Sequence, residues 1–237
     1  MYLKEALGSA AMQMASNSLD IQILVDRLLF IFDTDRDLFR LVVLFIHGNP
    51  KPVRAEIVEF MLQNYILSRP NFDGSFEVGS HYYELIPRLI SIYEQGEDVL
   101  KFLRGAIVEL FTCKLVSRHC DTNECFNNRC FVEERFGYSS RQVDVAVLSH
   151  PRKEIEGYTC KMRPENIQTG DCLNLTKLIY HAQKSGYKPY VGVVCFKNSK
   201  QIKQQLDDCS QPENVKAYGL DNFEVLAMAP SVRSGIN

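Results

Sequence analysis

Two short segments with the two-residue alternation of β-strands constrain the fold of this chain more than any other feature. Along residues 142–147 the three valines share one face, whereas Asp144 lies on the other. Along residues 157–161, which follow a short polar turn, Lys161 shares its face with Thr159. The pattern predicts two paired strands that present one carboxylate and one lysine.

The composition is that of a globular protein with a substantial apolar core. Of the 237 residues, 46% are hydrophobic and 11% are aromatic, and this length suits one large domain or two small ones. No apolar run reaches the roughly 18 residues of a membrane helix, and the first residues lack the basic segment and apolar core of an export signal. We therefore expect a cytoplasmic protein that does not enter a membrane.

Cysteines and charges both divide the chain into two parts. All eight cysteines lie between Cys113 and Cys209, and a cytoplasmic setting favours reduced thiols or a metal site over disulfides. Residues 1–104 hold ten Lys and Arg against fourteen Asp and Glu, a net charge of −4. Residues 151–204 hold ten against four, a net charge of +6. A polyanion is expected to bind in this basic segment.

The predicted domain boundaries follow these changes in composition and pattern. We predict a helical N-terminal domain in residues 1–96, a second domain in residues 97–229 and a flexible tail in residues 230–237. Apolar residues recur at helical spacing in four segments of the first domain, residues 19–32, 37–46, 53–66 and 82–93. Such helices resemble a helix-turn-helix or winged-helix domain, and a helical adaptor or dimerisation domain explains them equally well. We expect this domain to form a homodimer or to bind a partner protein.

The second domain is predicted to be α/β (α+β), in the order helix, three strands, helix, strand. A wide apolar stripe predicts a long helix over residues 97–115, in which Glu109 and Gly105 share a face. The elements that follow are predicted as strands at residues 130–135, 143–148 and 157–162, a helix at 173–184 and a strand at 190–196.

This order, with an acid in the first helix, an acid on the second strand and a lysine on the third, resembles the PD-(D/E)xK nuclease superfamily. The resemblance spans about residues 99–200 and implies the restriction-endonuclease-like fold, a mixed sheet flanked by helices. It also implies residue roles. Glu109 resembles the helical glutamate of the family, Asp144 its principal metal ligand and Lys161 its catalytic lysine. The backbone carbonyl of Cys160 would be a further metal ligand.

The function that the resemblance implies is a Mg²⁺-dependent DNA endonuclease, with Mn²⁺ as a second cation, in a context of restriction, defence, repair or a mobile element. Hydrolysis of a phosphodiester requires a hydroxide and neutralisation of charge on the phosphate, and a hard cation held by carboxylates provides both. Lys161 would orient the attacking water or stabilise the transition state as a point charge.

One position departs from the family motif. The (D/E)xK triplet reads Thr159, Cys160, Lys161, so the second carboxylate is missing and the metal cage carries less negative charge. Glu109 could compensate from the helix. Glu156 is another substitute, but strict alternation puts it on the face opposite Lys161, and only a bulge would turn it round. The alternative function is therefore a catalytically inactive nuclease-like module that binds nucleic acid or serves in assembly.

Basic and polar residues after the lysine strand are candidates for contacts with nucleic acid. They are Lys177, Gln183, Lys184 and Lys188. In the nuclease interpretation they contact backbone phosphates of DNA, with RNA as an alternative, and carry no sequence information. An ordinary amphipathic surface helix explains the same pattern.

A second candidate site lies among the cysteines. His119, Cys120, Cys125 and Cys130 follow one another at short intervals and could supply tetrahedral ligands for Zn²⁺, with Cys113 as a further thiolate. The usual pair of cysteines two residues apart is missing, and reduced, half-buried cysteines explain the same pattern. Both interpretations stay open at the level of sequence.

Overall fold

The structure, a computed structural model, describes residues 1–5, 18–49, 51–67, 76–120, 124–133, 137–209 and 214–233. The chain divides into two compact units, one formed by residues 9–107 and the other by residues 1–8 together with residues 108–237. The boundary between these units falls inside a helix, whereas the predicted domain boundary is at residue 97, where that helix begins. Within the described residues, no helix is both long and apolar enough to cross a membrane.

The unit of residues 9–107 consists of helices in its described part. They are α1 (Leu19–Thr34), α2 (Arg36–Gly48), α3 (Ala55–Leu67), α4 (Phe76–Tyr93) and the first half of α5 (Glu97–Val116). The four helices predicted from apolar spacing are confirmed, and α4 begins earlier than its spacing indicated. A winged helix would add a β-hairpin, and no strand occurs among the described residues of this unit. That resemblance therefore stays a prediction.

The other unit contains a six-stranded mixed sheet. Its strands are β1 (Tyr2–Glu5), β2 (Cys125–Glu133), β3 (Gly137–Ser149), β4 (Glu154–Lys161), β5 (Lys188–Cys195) and β6 (Val215–Tyr218), in that order across the sheet. Neighbours from β1 to β4 are antiparallel, whereas β4 with β5 and β5 with β6 are parallel. The first strand pairs with β2 from the far N-terminus, which no sequence pattern had indicated.

The parallel strands are joined by helices, as parallel pairs require. Helix α6 (Thr169–Lys184) connects β4 to β5, and α7 (Ser199–Asp208) connects β5 to β6. Helix α6 packs against β3, β4 and β5. Apolar residues of α6 and of the strands form one core, which includes Leu175, Leu178, Ala182, Ile155 and Val191. The predicted mixed α/β architecture, a sheet flanked by helices, is confirmed.

Gly157 marks the face of β4 that α6 covers. A Cβ at this position would overlap Cδ2 of Leu178, so glycine is what lets the helix approach the strand this closely. Side chains alternate along a strand, so Lys161 shares this face and Cys160 lies on the opposite one. There the Cys160 thiol is hydrogen-bonded to Thr112 of α5. Helices therefore flank both faces near the C-terminal end of β4.

The last described residues differ from the predicted flexible tail. Pro230–Arg233 form a short helix, α8, and Arg233 is buried. Its guanidinium donates to the carbonyl of Met228 over 2.7 Å and to that of Leu226 over 2.9 Å. Residues 234–237 of the predicted tail lie outside the described residues. The polar composition of this end indicated a tail, but burial of one arginine anchors its first part.

Candidate active site

Asp144 lies beside the point where β3 and β4 begin to pair. Val145 is in register with Tyr158. At the preceding residue, the Asp144 carboxylate accepts a hydrogen bond of 2.7 Å from the backbone N–H of Cys160. The neighbouring valines are buried and the aspartate is half-buried. A backbone amide of β4 therefore holds this carboxylate in one orientation.

Glu109 approaches the same place from α5. It is buried, with 6% of its surface exposed. Burial and the neighbouring charge of Asp144 raise the pKa of Glu109 to about 9, against the opposing charge of Lys161. Burial also raises the pKa of Asp144 to about 6, against the hydrogen bond from Cys160 and the charge of Lys161. The structure therefore brings the three predicted catalytic side chains into one electrostatic group.

Lys161 ends β4 and supplies the positive charge of the group. Its Nζ lies 3.0 Å from Oδ1 of Asp171, and 25% of the lysine side chain is exposed. Burial by itself lowers the pKa of Lys161, but the carboxylates of Asp171 and Asp144 outweigh that effect, so the pKa lies above its ordinary value. The ammonium group is therefore charged at neutral pH and partly open to solvent.

Asp171 belongs to this group, although sequence reasoning missed it. It lies in the first turn of α6, where its Oδ2 accepts a hydrogen bond of 2.9 Å from the backbone N–H of Gln168. The Gln168 side chain accepts in return from the backbone of Asp171, which completes a capping box. The cap fixes one carboxylate oxygen and directs the other to Lys161. A polar residue three positions before an acid, ahead of a helical pattern, was the available signal.

Thr159 occupies the place of the missing carboxylate. It is buried, with 4% of its surface exposed, and is in register with Val193 of β5. By alternation it lies on the face of β4 that α6 covers, and Asp171 is the acid that α6 brings to the end of that face. The charge of Asp171 also raises the pKa of Asp144. Asp171 of α6 thus adds negative charge near Thr159, the position at which the (D/E)xK motif would have a carboxylate.

The group suits a hard divalent cation in charge and in ligand chemistry. Three carboxylates (Glu109, Asp144 and Asp171) and one ammonium (Lys161) leave a net charge of −2 when all are ionised. The pKa values of Glu109 and Asp144 are raised, so in the absence of a cation bound protons reduce the negative charge of the group. Glu109 and Asp144 would hold an ion together with the carbonyl of Cys160. Within the described residues, these acids do not belong to a group of three ligand atoms that all lie within 4.8 Å of one another.

A second group of buried charges lies on the opposite face of β4. Glu156 is 1% exposed. One of its oxygens lies 2.7 Å from Nε2 of His119, and the other lies 2.9 Å from Nη1 of Arg233 and accepts a 2.5 Å hydrogen bond from the Tyr158 hydroxyl. The guanidinium of Arg233 also donates to that hydroxyl. Burial raises the pKa of Glu156, but the hydrogen bond from His119 and the charge of Arg233 outweigh it, and the pKa is lowered.

Glu156 therefore does not replace the carboxylate missing at Thr159. Both of its oxygens are engaged in the ion-pair group, and the register of β3 and β4 from Glu154 to Tyr158 shows no bulge that would turn Glu156 toward Asp144. Strict alternation, which puts Glu156 on the face opposite Lys161, describes this strand correctly.

The residues predicted as zinc ligands fall into separate groups. Candidate ligand atoms within 4.8 Å of one another belong to three residues, His119, Cys120 and Glu156. Cys125 is not part of that group, and its Sγ lies 3.1 Å from Sγ of Cys113. The side chain of Cys130 lies outside the described residues. The zinc site stays a prediction, with a carboxylate rather than further thiolates beside the first two ligands.

The structure thus brings together Glu109, Asp144, Lys161 and the backbone of Cys160, and it adds Asp171 to them. No family model and no curated protein matches this sequence. The interpretation of the site therefore depends on the geometry and charges of these residues.

The predicted nucleic-acid contacts extend away from Lys161 along the sheet. In the parallel register of β4 and β5, Lys161 pairs with Cys195 and Glu154 pairs with Lys188. Lys188 therefore lies seven strand residues from the level of Lys161, ~23 Å at the usual rise per residue. Gln183 and Lys184, in the last turn of α6, are exposed, and Lys177 in its middle is half-buried.

A cavity of about 410 Å³ lies beside Lys188, with Gln183 and Lys216 in its lining. Its β5 lining, Lys188 to Val191, lies at the end of the sheet away from Lys161. The residues predicted to contact nucleic acid therefore form a line that leads away from Lys161 rather than a ring around it.

Proposed function

We propose that this protein is a divalent-cation-dependent DNA endonuclease that hydrolyses phosphodiester bonds. The observation that carries the proposal is the meeting of Glu109, Asp144 and Lys161 from three separate elements, α5, β3 and β4. Two acids and a lysine in one group are the residue types that metal-assisted hydrolysis of a phosphodiester requires. The mixed sheet, with α5 before β2 and α6 after the lysine strand, supports a restriction-endonuclease-like fold as part of the proposal.

The carboxylates would serve as ligands of the cation. Mg²⁺ or Mn²⁺ bound there would neutralise charge on the phosphate and lower the pKa of a water molecule. Glu109 and Asp144 would hold it, together with the carbonyl of Cys160. The amide of Cys160 already fixes the Asp144 carboxylate through a 2.7 Å hydrogen bond, so this ligand needs little reorganisation when the ion binds.

Lys161 would act on the reacting phosphate. Its pKa lies above the ordinary value, so it carries a full positive charge at neutral pH. A charge of this kind stabilises the negative charge that develops in the transition state. Asp171, which the capping box holds in place, positions the ammonium at 3.0 Å. A phosphate oxygen would compete with Asp171 for the same group.

DNA is the proposed substrate, with RNA as the alternative that shares its backbone. The line of Lys177, Gln183, Lys184 and Lys188 would contact phosphates without reading bases. A length of ~23 Å corresponds to about seven base pairs at 3.4 Å each. Restriction, defence, repair or a mobile element remains the proposed context, and the helical unit of residues 9–107 the proposed place for a homodimer or partner contact.

The identity of residue 159 favours a second function, a catalytically inactive nuclease-like module that binds nucleic acid or serves in assembly. Thr159 is buried and provides no carboxylate. Two carboxylates would then hold the cation, since Asp171 is paired with Lys161. Fewer negative ligands mean weaker binding of a divalent ion, and a weakly bound ion is the simplest route to an inactive enzyme with an intact fold.

Cleavage of supercoiled plasmid in Mg²⁺ or Mn²⁺ separates the two functions. We expect the wild type to nick or linearise the plasmid, and Lys161→Ala to lower the rate by about 100-fold or more, the usual effect of removing one electrostatic group from a transition state. Lys101→Ala removes an exposed lysine from α5 and is the matched control, which should cut as the wild type does.

Two results would decide against the enzyme. A wild type that leaves plasmid intact in both cations but retards it on a native gel is the inactive module. A Lys161→Ala protein that cuts at the wild-type rate removes the catalytic role of this group.

A further inference from the structure

Two cysteines outside the proposed catalytic group meet between α5 and β2. Cys113 lies near the C-terminal end of α5 and Cys125 begins β2. Their Sγ atoms are 3.1 Å apart, and Cys125 Sγ also lies 3.4 Å from the carbonyl oxygen of Cys113. Both residues are half-buried and free. A disulfide has an S–S distance near 2.05 Å, so a movement of about 1 Å would join them.

The two thiols lie close enough to react with each other once one of them is oxidised. A cysteine sulfenic acid condenses with a neighbouring thiol to a disulfide, and the 3.1 Å between the two Sγ atoms places each sulfur within reach of the other.

Cys120 is the nearest competitor and is less suited to react. Burial raises its pKa to about 12, and the charges of Glu156 and Glu124 add to the rise. Its Sγ lies 3.5 Å from the carbonyl oxygen of Val116 within its own turn of chain. We therefore expect little thiolate at Cys120 near neutral pH.

We propose that Cys113 and Cys125 are a peroxide-sensitive dithiol that closes to a reversible disulfide. The thiolate of one of the two cysteines attacks one oxygen of hydrogen peroxide, the O–O bond breaks, and a sulfenic acid forms as hydroxide leaves and takes up the proton that the thiol released. The sulfur of the other cysteine then attacks the sulfenic sulfur, the S–O bond breaks, and the proton of that second thiol leaves with the hydroxyl as water. In total, two thiols and one peroxide give one disulfide and two waters, and the peroxide takes up both electrons.

The bond would join α5, which carries Glu109, to β2, the neighbour of the strand that carries Asp144. Cys113 lies four residues after Glu109 on α5, hence on the same helical face. Cys125 pairs with Val147 of β3, the strand that carries Asp144. Oxidation would therefore tie the helix of one carboxylate to the strand beside the other, whatever chemistry those carboxylates perform.

Thiol counting on the full chain tests the proposal. Under denaturing conditions the reduced protein has eight alkylatable cysteines. After stoichiometric peroxide we expect two fewer, with recovery of both by dithiothreitol. In Cys120→Ser the loss of two should persist, whereas in Cys113→Ser and in Cys125→Ala no pair should be lost. Circular dichroism of each variant checks that it folds, and Cys113→Ala replaces Cys113→Ser if that variant does not.

Peptide mapping identifies the partner cysteine. Trypsin cleaves after Lys114, Arg118 and Arg129, so the peptide of Cys113 stays joined to residues 119–129, which hold Cys120 and Cys125, only through a disulfide. Cleavage after Glu124 separates Cys120 from Cys125, and we expect the joined peptide to contain Cys125. A link to Cys120, a link between two chains, or sulfinic acid at both positions without a cross-link would overturn the proposal.

Discussion

Strand β4 borders two groups of buried charge that behave in opposite ways. Beside Glu156, a histidine, a tyrosine and an arginine engage both carboxylate oxygens, and the pKa of the acid is lowered. Beside Lys161, the pKa values of Glu109 and Asp144 are raised to about 9 and about 6. The first group is electrically satisfied by the protein itself, whereas the second has more negative charge than its lysine can offset.

The difference separates a carboxylate that the protein pairs with cations from carboxylates that it leaves with excess negative charge. A folded chain tolerates buried carboxylates either by pairing them or by protonating them. The Glu156 group uses the first means and anchors the C-terminal helix α8 through Arg233. The Glu109 group uses the second, and a proton is a ligand that a divalent cation can displace. Perturbed acids of this kind are enriched at functional sites.

The largest expected effect is a loss of stability when Glu156 is removed from its ion pairs. Glu156→Ala leaves Arg233 buried without its carboxylate, and such a loss destabilises a protein by about 3–5 kcal/mol. Urea unfolding at pH 7 measures the change. Glu154→Ala is the matched control on the same strand, because Glu154 pairs with the partly exposed Arg152 and its loss should change stability by less than about 1 kcal/mol. Similar losses in the two variants would mean that the Glu156 group is not the anchor.

The second-largest expected effect is a gain in stability, and it comes from replacing Glu109 in the group beside Lys161. Glu109→Gln replaces an acid that must take up a proton to fold at neutral pH, so we expect a gain in stability of about 1–3 kcal/mol at pH 8 without divalent cation. Since the folded pKa is raised, the contribution of Glu109 is full below about pH 4.5 and is lost as the pH rises toward about 9. Unfolding curves between pH 5 and 9 measure this slope.

The slope should flatten in Glu109→Gln and remain in Glu165→Gln, which changes an exposed glutamate. Glu156 has the reverse dependence, because its folded pKa is lowered. Its contribution is present above about pH 4.5 and is lost as the pH falls through the folded pKa. A wild type whose stability does not decline from pH 5 to 9 would contradict the raised pKa of Glu109.

Binding of a divalent cation should release protons from the group of Glu109 and Asp144, which the Glu156 group would not do. At pH 7.5, Glu109 is mostly protonated and Asp144 mostly ionised when no cation is bound, so binding of Mn²⁺ should release about one proton. Titration calorimetry in two buffers of different ionisation enthalpy measures the number. Glu109→Gln should bind Mn²⁺ more weakly and release none, whereas Lys101→Ala should match the wild type. Binding without proton release in the wild type would place the ion elsewhere.

The smallest expected effect comes from Asp171, which both caps α6 and pairs with Lys161. Asp171→Ala removes both the helix cap and the partner of Lys161, and the cap alone is worth about 1 kcal/mol. Asp171→Asn retains a capping oxygen, so we expect it to keep most of the stability while the pKa of Lys161 falls in both variants. NMR titration of labelled lysine side chains reads that pKa. An unchanged Lys161 titration in both variants would remove Asp171 from the site.

Much of the candidate site was predictable from the order of elements. Alternation predicted the strands of Asp144 and Lys161, helical spacing predicted the helix of Glu109, and these patterns act over two to five residues. The capping box of Asp171 was visible but lay ahead of the predicted helix start. The roles of Glu156 and Arg233 were not predictable, because their partners lie far away in sequence, as with Arg233 and Tyr158, 75 positions apart.

Local patterns in the sequence predicted the strands and helices that carry Glu109, Asp144 and Lys161, since backbone geometry ties side-chain direction to a short period. The folded chain was needed to show which buried acid is paired and which is left with excess charge. It also decided that the first strand joins the sheet and that Cys113 meets Cys125. These outcomes depend on contacts between distant segments, where burial and neighbouring charge set the ionisation of each group.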